Sequence, residues 1–224
     1  MKRLLTCTVA LIIPASLNAA EGEFSGGIAI TSNYVSNGIT QTEDGPAIQP
    51  FFENSIDGFY VGTWLSNVDF GPADDDKIEI DVYLGYRDQL ESALYYDVGY
   101  ARYLYDDSGD CCGEFKALLG YEFADVFALE GYTAYNRDGS SFNSNLSFAA
   151  DVGRGFYVSG LYGYKQSNKN NYWHLGGAYE ITDIVNVDLR YHGADSGDEG
   201  WVFTLSAYHA ASTFERLLLE PFQR

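Results

Sequence analysis

The feature of this chain that most constrains its fold is an alternation of apolar and polar residues, which recurs in runs of about ten residues. In residues 77–87 every second side chain is apolar or aromatic, and most of the side chains between them are charged. Residues 113–123 and 184–192 repeat this pattern. Because successive side chains of a β-strand point to opposite faces, each run predicts a strand with one apolar and one polar face.

Twelve such runs cover most of the chain, and no segment before residue 212 has the spacing of an amphipathic helix. Short turns alternate with connections that are generally longer and more polar, as is typical of outer-membrane barrels. An even number of strands then places both chain ends on the short-turn side. The predicted strands are residues 23–34, 47–56, 59–68, 77–87, 93–105, 113–123, 126–136, 141–150, 156–165, 172–180, 184–193 and 201–210. The longer loops are predicted at residues 35–46, 69–76, 106–112, 166–171 and 194–200.

An alternating all-β chain fits two architectures. A soluble sandwich or lipocalin-like barrel buries its apolar faces, whereas a membrane barrel turns them toward lipid. The length of the runs matches a tilted bilayer crossing, aromatic residues cluster near their ends, and there are more runs than an eight-stranded soluble barrel needs. We therefore predict an all-β fold, a transmembrane antiparallel up-and-down β-barrel of about 12 strands. Its aromatic girdles are predicted to contain Phe59, Tyr86, Tyr121, Phe123, Phe127, Tyr135, Phe156, Tyr164, Trp173, Tyr179 and Trp201.

The first residues have the composition of a secretory signal peptide. Two basic residues precede an apolar stretch, and small residues follow up to Ala19. The predicted organisation is a signal peptide over residues 1–19, a barrel over residues 20–211 and a C-terminal tail over residues 212–224. Export and a barrel together predict the outer membrane of a Gram-negative bacterium.

Charge and cysteine content narrow the choice of partners. The formal net charge of −19 argues against nucleic acid, because phosphate binding needs a basic face. Beyond the signal peptide the cysteines are Cys111 and Cys112, whose adjacency argues against a disulfide framework. They are either two thiols in a surface loop, or a vicinal disulfide or metal site. The predicted partners are outer-membrane lipid, lipopolysaccharide, the barrel-assembly machinery and small solutes.

The polar faces of the strands predict the wall of a lumen. On these faces eight acids stand against five bases, and an excess of acids is easier to keep if the lumen holds water and cations. The predicted pore-lining residues are Glu79, Asp81, Glu114, Lys116, Glu122, Glu130, Asp188, Arg190 and His192. The other charged members of the wall are Glu53, Asp97, Lys77, Arg87 and Lys165.

One part of this wall raises the question of catalysis. If residues 174 and 190 face each other across the turn, His174, Arg190 and His192 come together near the outer mouth. Since no Ser or Cys nucleophile stands in a recognisable motif, we interpret the cluster as paired side chains at a constriction and predict no enzymatic activity, cofactor or metal site. The acidic loops lack EF-hand spacing, which predicts solvated loop tips, with weak divalent-cation binding as the alternative.

A series of motifs lies within residues 28–100. The motifs are Thr31-Ser32-x-Tyr34, Gly38-Ile39-x-Gln41-Thr42, Pro46-Ala47-x-Gln49, Gly58-Phe59-Tyr60-x-Gly62-Thr63-Trp64-x-Ser66-Asn67-Val68-Asp69-Phe70 and Ile78-Glu79-x-Asp81-x-Tyr83-x-Gly85-Tyr86. This series resembles the TorF-like family of porins, and the resemblance implies an outer-membrane β-barrel without a proven substrate. Members of that family often carry Arg where this chain has Asn37, and they tend to end close to the last strand.

These observations predict a narrow, mildly cation-favouring porin for passive passage of small solutes. The alternative is a non-conducting structural or surface-interaction barrel with a filled lumen, because twelve strands lie between the filled eight-stranded and the open sixteen-stranded barrels. An outer-membrane hydrolase is disfavoured because the sequence shows no catalytic triad.

Overall fold

A computed structural model of the protein describes residues 22–90, 93–124 and 126–209. These residues form a closed barrel of twelve antiparallel strands and one small two-stranded hairpin. In this described part of the chain, no helix is long and apolar enough to cross a membrane. The predicted signal peptide and C-terminal tail lie outside the described residues.

Each predicted run overlaps one long strand of the barrel, so the predicted twelve-stranded all-β fold is confirmed. Every long strand pairs with the next long strand along the chain, and pairing of the first with the last, from Gly26–His209 to Thr31–Thr204, closes the barrel. The long strands are β1 (Glu23–Thr31), β4 (Ala47–Ile56), β5 (Phe59–Asn67), β6 (Ile78–Gln89), β7 (Leu94–Tyr105), β8 (Gly109–Phe123), β9 (Phe127–Asn136), β10 (Ser141–Gly153), β11 (Phe156–Lys165), β12 (Asn170–Thr182), β13 (Val185–Ala194) and β14 (Glu199–His209). The small hairpin consists of β2 (Val35–Ser36) and β3 (Ile39–Thr40).

The outer surface of the barrel is apolar around its circumference. Large apolar side chains occupy the outward positions of the strands, and Leu84, Leu119 and Leu146 are 57%, 55% and 56% exposed. A water-soluble protein rarely exposes so continuous an apolar surface. The alternation therefore places the apolar faces outside and the polar faces inside, as in a membrane barrel and unlike a soluble one.

Aromatic side chains ring this apolar surface near both ends of the barrel, as the sequence predicted. At the short-turn end the ring of Phe59 lies 4.8 Å from that of Tyr86, centroid to centroid. At the opposite end Tyr191 lies 5.2 Å from Trp201 and 5.9 Å from Trp173. Amphipathic rings at two levels match the two interfaces of a bilayer.

The connections differ from the prediction at the long-loop end. Two of them are long, residues 32–46 and residues 68–77, whereas the predicted loops at 106–112, 166–171 and 194–200 are shortened because the neighbouring strands continue into them. At one of these places Tyr105 pairs with Gly109. Strand pairing therefore continues into the rim at this end of the barrel.

Candidate functional site in the barrel lumen

The lumen wall divides into two arcs of different charge. The charged arc is the inward face of β4 to β9, and the polar arc is the inward face of β10 to β14 together with β1. Among the described residues, the buried and half-buried charges of the charged arc are seven carboxylates and two bases: Glu53, Glu79, Asp81, Asp97, Glu114, Glu122, Glu130, Arg87 and Lys116. Those of the polar arc are Lys165, Glu180, Asp188 and Arg190.

Arg87 holds two carboxylates of the charged arc. Its Nη2 donates to Oε2 of Glu53 at 3.0 Å, and its Nε lies 3.5 Å from Oδ2 of Asp97. The guanidinium carbon stands 3.9 Å from the centre of the Tyr60 ring, and the Tyr60 hydroxyl donates to Oδ1 of Asp97 at 2.6 Å. Because the Glu53 side chain is fully buried, this network ties β4, β6 and β7 together through a desolvated ion pair.

The most negative part of the wall lies on β6 and β8, nearer the long-loop end. Asp81 is close enough to Glu79, Glu114 and Lys116 for electrostatic interaction with all three. Oδ1 of Asp81 is buried and has no hydrogen-bond partner among the described residues. Lys116 lies 5.4 Å from the ring centre of Tyr103. The charged neighbours of Asp81 are therefore two carboxylates and one ammonium group, so the formal charge of this part of the lumen is negative.

The two remaining predicted acids lie on β8 and β9. Glu130 is buried and accepts hydrogen bonds from the hydroxyls of Tyr95 and Ser147, both at 3.0 Å. Glu122 is half-buried and pairs with Ala128 near the short-turn end. The seven acids and two bases of the charged arc thus belong to one continuous wall of six strands.

A second cluster lies on β12 and β13, in the polar arc. Arg190 makes two hydrogen bonds to the carboxylate of Asp188, at 2.7 and 2.8 Å, and its Nη1 lies 3.0 Å from Nδ1 of His174. His192 is buried on the same face. Arg190 and His174 therefore meet as predicted, and the arginine is neutralised by its own acid, Asp188.

The predicted strand register at this cluster is wrong by two residues. His174 pairs with His192, and Arg190 pairs with Gly176, not with residue 174. The shift arises because β12 continues to Thr182, which pairs directly with Val185 across a tight turn. Turn length fixes the register of a hairpin, and the tightness of this turn is not visible in the alternation.

A hairpin folds from the long-loop end into the barrel. Strands β2 and β3 are joined by Asn37 and Gly38, both with positive φ, of 52° and 77°. Asn-Gly is the preferred pair for a two-residue hairpin turn because both positions need left-handed backbone. A Cβ on Gly38 would lie 2.6 Å from Cβ of Tyr172, so only glycine fits against the wall.

Hydrogen bonds fasten the tip of this hairpin to the polar arc. Nδ2 of Asn143 donates to Oδ1 of Asn37 at 2.7 Å, and Nδ2 of Asn170 donates to the Asn37 carbonyl oxygen at 3.2 Å. The base of the hairpin contacts the opposite arc, where the Tyr34 ring lies 5.4 Å from that of Trp64. The connection between β1 and β4 therefore crosses the lumen near its outer mouth and narrows it.

Cavities remain on both sides of the lumen. One lies between the hairpin and the polar arc, and we call it the hairpin cavity. Its lining includes Asn37, Gln49, Glu130, Arg190 and His192. Another lies against the charged arc and is lined by residues that include Arg87, Asp97 and Lys116. The interior is thus neither a wide pore nor a close-packed core.

Two charged residues of the outer rim have structural partners. The Asp76 carboxylate accepts hydrogen bonds from the backbone N–H groups of Ser108 at 2.8 Å and Asp107 at 2.9 Å, and these bonds hold its pKa below the usual range. Lys77, predicted on the lumen wall, instead lies at the rim and pairs with exposed Asp69 at 3.2 Å. No group of three or more His, Cys, Asp or Glu within the described ranges is arranged to hold a metal ion.

Cys111 and Cys112 form a vicinal disulfide at the outer rim. Tyr103 pairs with Cys112 and Leu104 pairs with Asp110, so Cys111 is the extra residue of a bulge in β8. Of the alternatives that the sequence leaves open for this pair, two free thiols, a vicinal disulfide or a metal site, the structure contains the disulfide.

The hairpin is the part of the site that the sequence analysis missed. The prediction for residues 35–46 is an outer loop, whereas the Asn37-Gly38 pair between Val35 and Ile39 is a local hairpin signal. That the hairpin points inward depends on Asn143 and Asn170, which are more than a hundred residues away in the chain. No local pattern reports such a contact.

Comparisons with known proteins agree with this architecture. A family model described as "Bacterial protein of unknown function (Gcw_chp)" matches residues 16–213. No curated protein matches the sequence. Among solved structures, the chain is similar to a KdgM porin (TM-score 0.61, 9% identity, 84% of this chain and 99% of that chain) and to a KdgM porin in complex with disordered oligogalacturonate (TM-score 0.57, 7% identity, 84% and 99%). It is also similar to outer membrane phospholipase A from Escherichia coli (TM-score 0.48, 11% identity, 82% and 88%). At these identities the two porin structures show a shared fold.

Proposed function

The chain belongs to the Gcw_chp family of bacterial proteins of unknown function, and we propose that it is a narrow, mildly cation-favouring channel for small solutes in the outer membrane of a Gram-negative bacterium. The porin character implied by the motifs of residues 28–100, and the absence of an enzymatic role, are parts of this proposal. The apolar belt with its aromatic girdles supports the membrane location, because such a surface is stable in lipid and not in water.

The observation that carries the proposal is the excess of acids on the charged arc. Asp81 interacts electrostatically with two other carboxylates, those of Glu79 and Glu114, and with a single ammonium group, that of Lys116. Charges that line a narrow passage with low-dielectric walls act on passing ions more strongly than the same charges in open water. Bases on the wall oppose this field, so the channel is expected to prefer cations without excluding anions.

The rival function, a non-conducting structural barrel, also has structural support. Buried aromatic side chains that include Tyr34, Trp64 and Tyr83 pack together between the hairpin and the charged arc. This packing fills part of the outer lumen. The cavities beside this packing favour the channel, and conductance measurement decides between the two functions.

Neutralising two acids of the charged arc is expected to weaken cation preference. In the variant Glu79→Gln/Asp81→Asn both side chains keep their size while two negative charges leave the wall. The reversal potential of the purified protein in a planar bilayer, measured across a KCl gradient, should show cation preference in the wild type and a smaller preference in the variant.

The matched control removes two acids from outside the lumen. Asp75 and Asp107 are exposed in the outer connections, and their field is screened within a Debye length of about 8–10 Å. Asp75→Asn/Asp107→Asn should leave the reversal potential close to that of the wild type. Anion preference in the wild type, or correctly folded protein that does not conduct, would contradict the proposal and favour the structural barrel.

Loosening the hairpin is expected to increase conductance. Asn37→Gly keeps a residue that tolerates positive φ and removes the amide that accepts a hydrogen bond from Asn143. Loss of one hydrogen bond shifts an equilibrium by about two- to tenfold, so single-channel recordings should show larger or more frequent openings.

The control for this variant is Asp57→Gly at the short-turn end. Asp57 has φ of 51° and precedes Gly58 in the turn between β4 and β5, so the backbone change is equivalent. It is exposed and outside the lumen. If Asn37→Gly and Asp57→Gly give the same conductance, the hairpin tip does not limit passage.

A further inference from the structure

We infer that the hairpin cavity is a binding subsite for a small uncharged solute that carries several hydroxyl groups. Because the cavity lies within the lumen, a role of this subsite in solute passage rests on the proposed channel function. Binding of the solute can be tested without measuring conductance. The inference assigns a solute class to the hairpin cavity, whereas the acids of the charged arc account only for ions.

Unpartnered polar atoms on the lining of this cavity point to a ligand that forms hydrogen bonds. Gln49 is 2% exposed, and His192 is 5% exposed. Oε1 of Gln49 and Nδ1 of His192 have no hydrogen-bond partner among the described residues, although both side chains line the cavity. Buried polar atoms are costly unless they are paired, so these two atoms favour an occupant that pairs with them.

The charged groups on the lining are already engaged by protein groups. Arg190 binds the carboxylate of Asp188 through two hydrogen bonds, and its third nitrogen lies beside His174. Each carboxylate oxygen of Glu130 accepts a hydrogen bond from one hydroxyl group. A charged ligand would have to compete with these partners, whereas an uncharged ligand leaves them in place.

Hydroxyl groups fit the unpartnered atoms better than other neutral groups do. The oxygen of Gln49 needs a donor, and Nδ1 of His192 needs a donor or an acceptor depending on its tautomer. A hydroxyl supplies one donor and two acceptor lone pairs, so it satisfies either case. Gln49 and His192 line the same cavity, so a molecule with several hydroxyls offers a separate partner to each of them.

The test uses three sugars of nearly the same shape and different charge. Saturation-transfer NMR of the purified protein in detergent micelles is recorded with glucose, with glucosamine in its ammonium form and with glucuronate in its carboxylate form. We expect glucose to bind most tightly. Gln49→Met, a near-isosteric change, should weaken glucose binding by about two- to tenfold, the range for one lost hydrogen bond.

Control variants separate the subsite from a general effect of mutation. Gln89→Met makes the same change at an exposed position on the short-turn end of β6 and should leave glucose binding unchanged. His192→Leu removes the second unpartnered atom and should weaken glucose binding independently of Gln49→Met, so that a folding defect in one variant does not decide the result.

The possible outcomes distinguish this inference from the proposed function. Tighter binding of glucosamine or glucuronate than of glucose, or glucose binding that neither variant weakens, overturns the uncharged-solute subsite. Conductance with no sugar binding overturns the subsite and leaves the channel. Glucose binding that depends on Gln49, in a barrel that does not conduct, supports the subsite and overturns the channel.

Discussion

Replacement of Leu146 by lysine is expected to prevent most of the protein from assembling into a stable barrel. Leu146 lies near the middle of β10, faces outward and is 56% exposed on the apolar belt. A lysine on the lipid face at the bilayer midplane costs about 2–4 kcal/mol. Native domains are stabilised by only about 5–15 kcal/mol in total, so a loss of this size is a large fraction of the stability.

The adjacent residue supplies the control, with the same substitution at the same depth on the same strand. Ser147 faces the lumen, and its hydroxyl lies 3.0 Å from a carboxylate oxygen of Glu130. A lysine at this position meets a carboxylate and the hairpin cavity, so Ser147→Lys should assemble. The pair Leu146→Lys and Ser147→Lys therefore places the same charge at the same depth on opposite faces of the sheet.

Assembly of both variants can be followed by electrophoresis. A closed barrel has no free sheet edge, so folded protein from the outer membrane should resist SDS at room temperature and migrate faster than after boiling. The fast-migrating form should be retained in Ser147→Lys and strongly depleted in Leu146→Lys. Equal amounts in the two variants would mean that the assignment of inside and outside is wrong.

The number, order and facing of the strands could be predicted because they depend on local alternation. In β6, the alternation predicts Glu79 and Asp81 on the polar face. The structure buries both inside the barrel and leaves Leu84 exposed on the outer apolar surface. A side chain in a strand can point only to one face of the sheet or to the other, so one clear run of alternating residues is sufficient to predict which side chains point inward. Closure into a barrel followed from the number of strands and from the absence of a helical segment to cover either face.

The arrangement of the lumen could not be predicted in the same way. The hairpin is held by contacts between residues far apart in sequence, of which the bond between Asn37 and Asn143 is the clearest. The register of His174 depends on the tightness of a single turn, since an error in turn length moves every pair along the two strands. Alternation places a side chain inside the barrel, but it does not say which inward side chain will be its neighbour.

Charge pairing shows the same limit. The alternation predicts Lys77 on the lumen wall, because it is two residues from Glu79 and would share its face of the strand. In the structure β6 begins one residue later, and Lys77 pairs with Asp69 at the rim. The alternation of inward and outward side chains holds only within the strand. With Lys77 outside and Glu180 inside, the wall is more acidic than the sequence predicted.

Replacement of Arg87 by methionine is expected to destabilise the barrel by about 3–5 kcal/mol, the range for breaking a buried ion pair by removing one partner. The Glu53 side chain is fully buried, and it would lose the guanidinium that lies 3.0 Å from its Oε2. Asp97 would keep the hydroxyl of Tyr60 but lose its charge partner. The free energy of unfolding of the protein refolded into lipid vesicles, measured by urea titration, should fall by this amount.

Two further variants distinguish the cost of an unpaired buried charge from the loss of side-chain packing. Lys77→Met breaks an ion pair whose side chains are 55% and 49% exposed, and it should change the unfolding free energy by no more than about 1 kcal/mol. Glu53→Gln/Arg87→Met removes the buried acid together with the base, so it should be more stable than Arg87→Met alone, because apolar or neutral replacement of a whole pair is often tolerated. If the double variant is instead less stable than Arg87→Met, then packing of the arginine stem and of Glu53, not the uncompensated charge, stabilises this part of the wall.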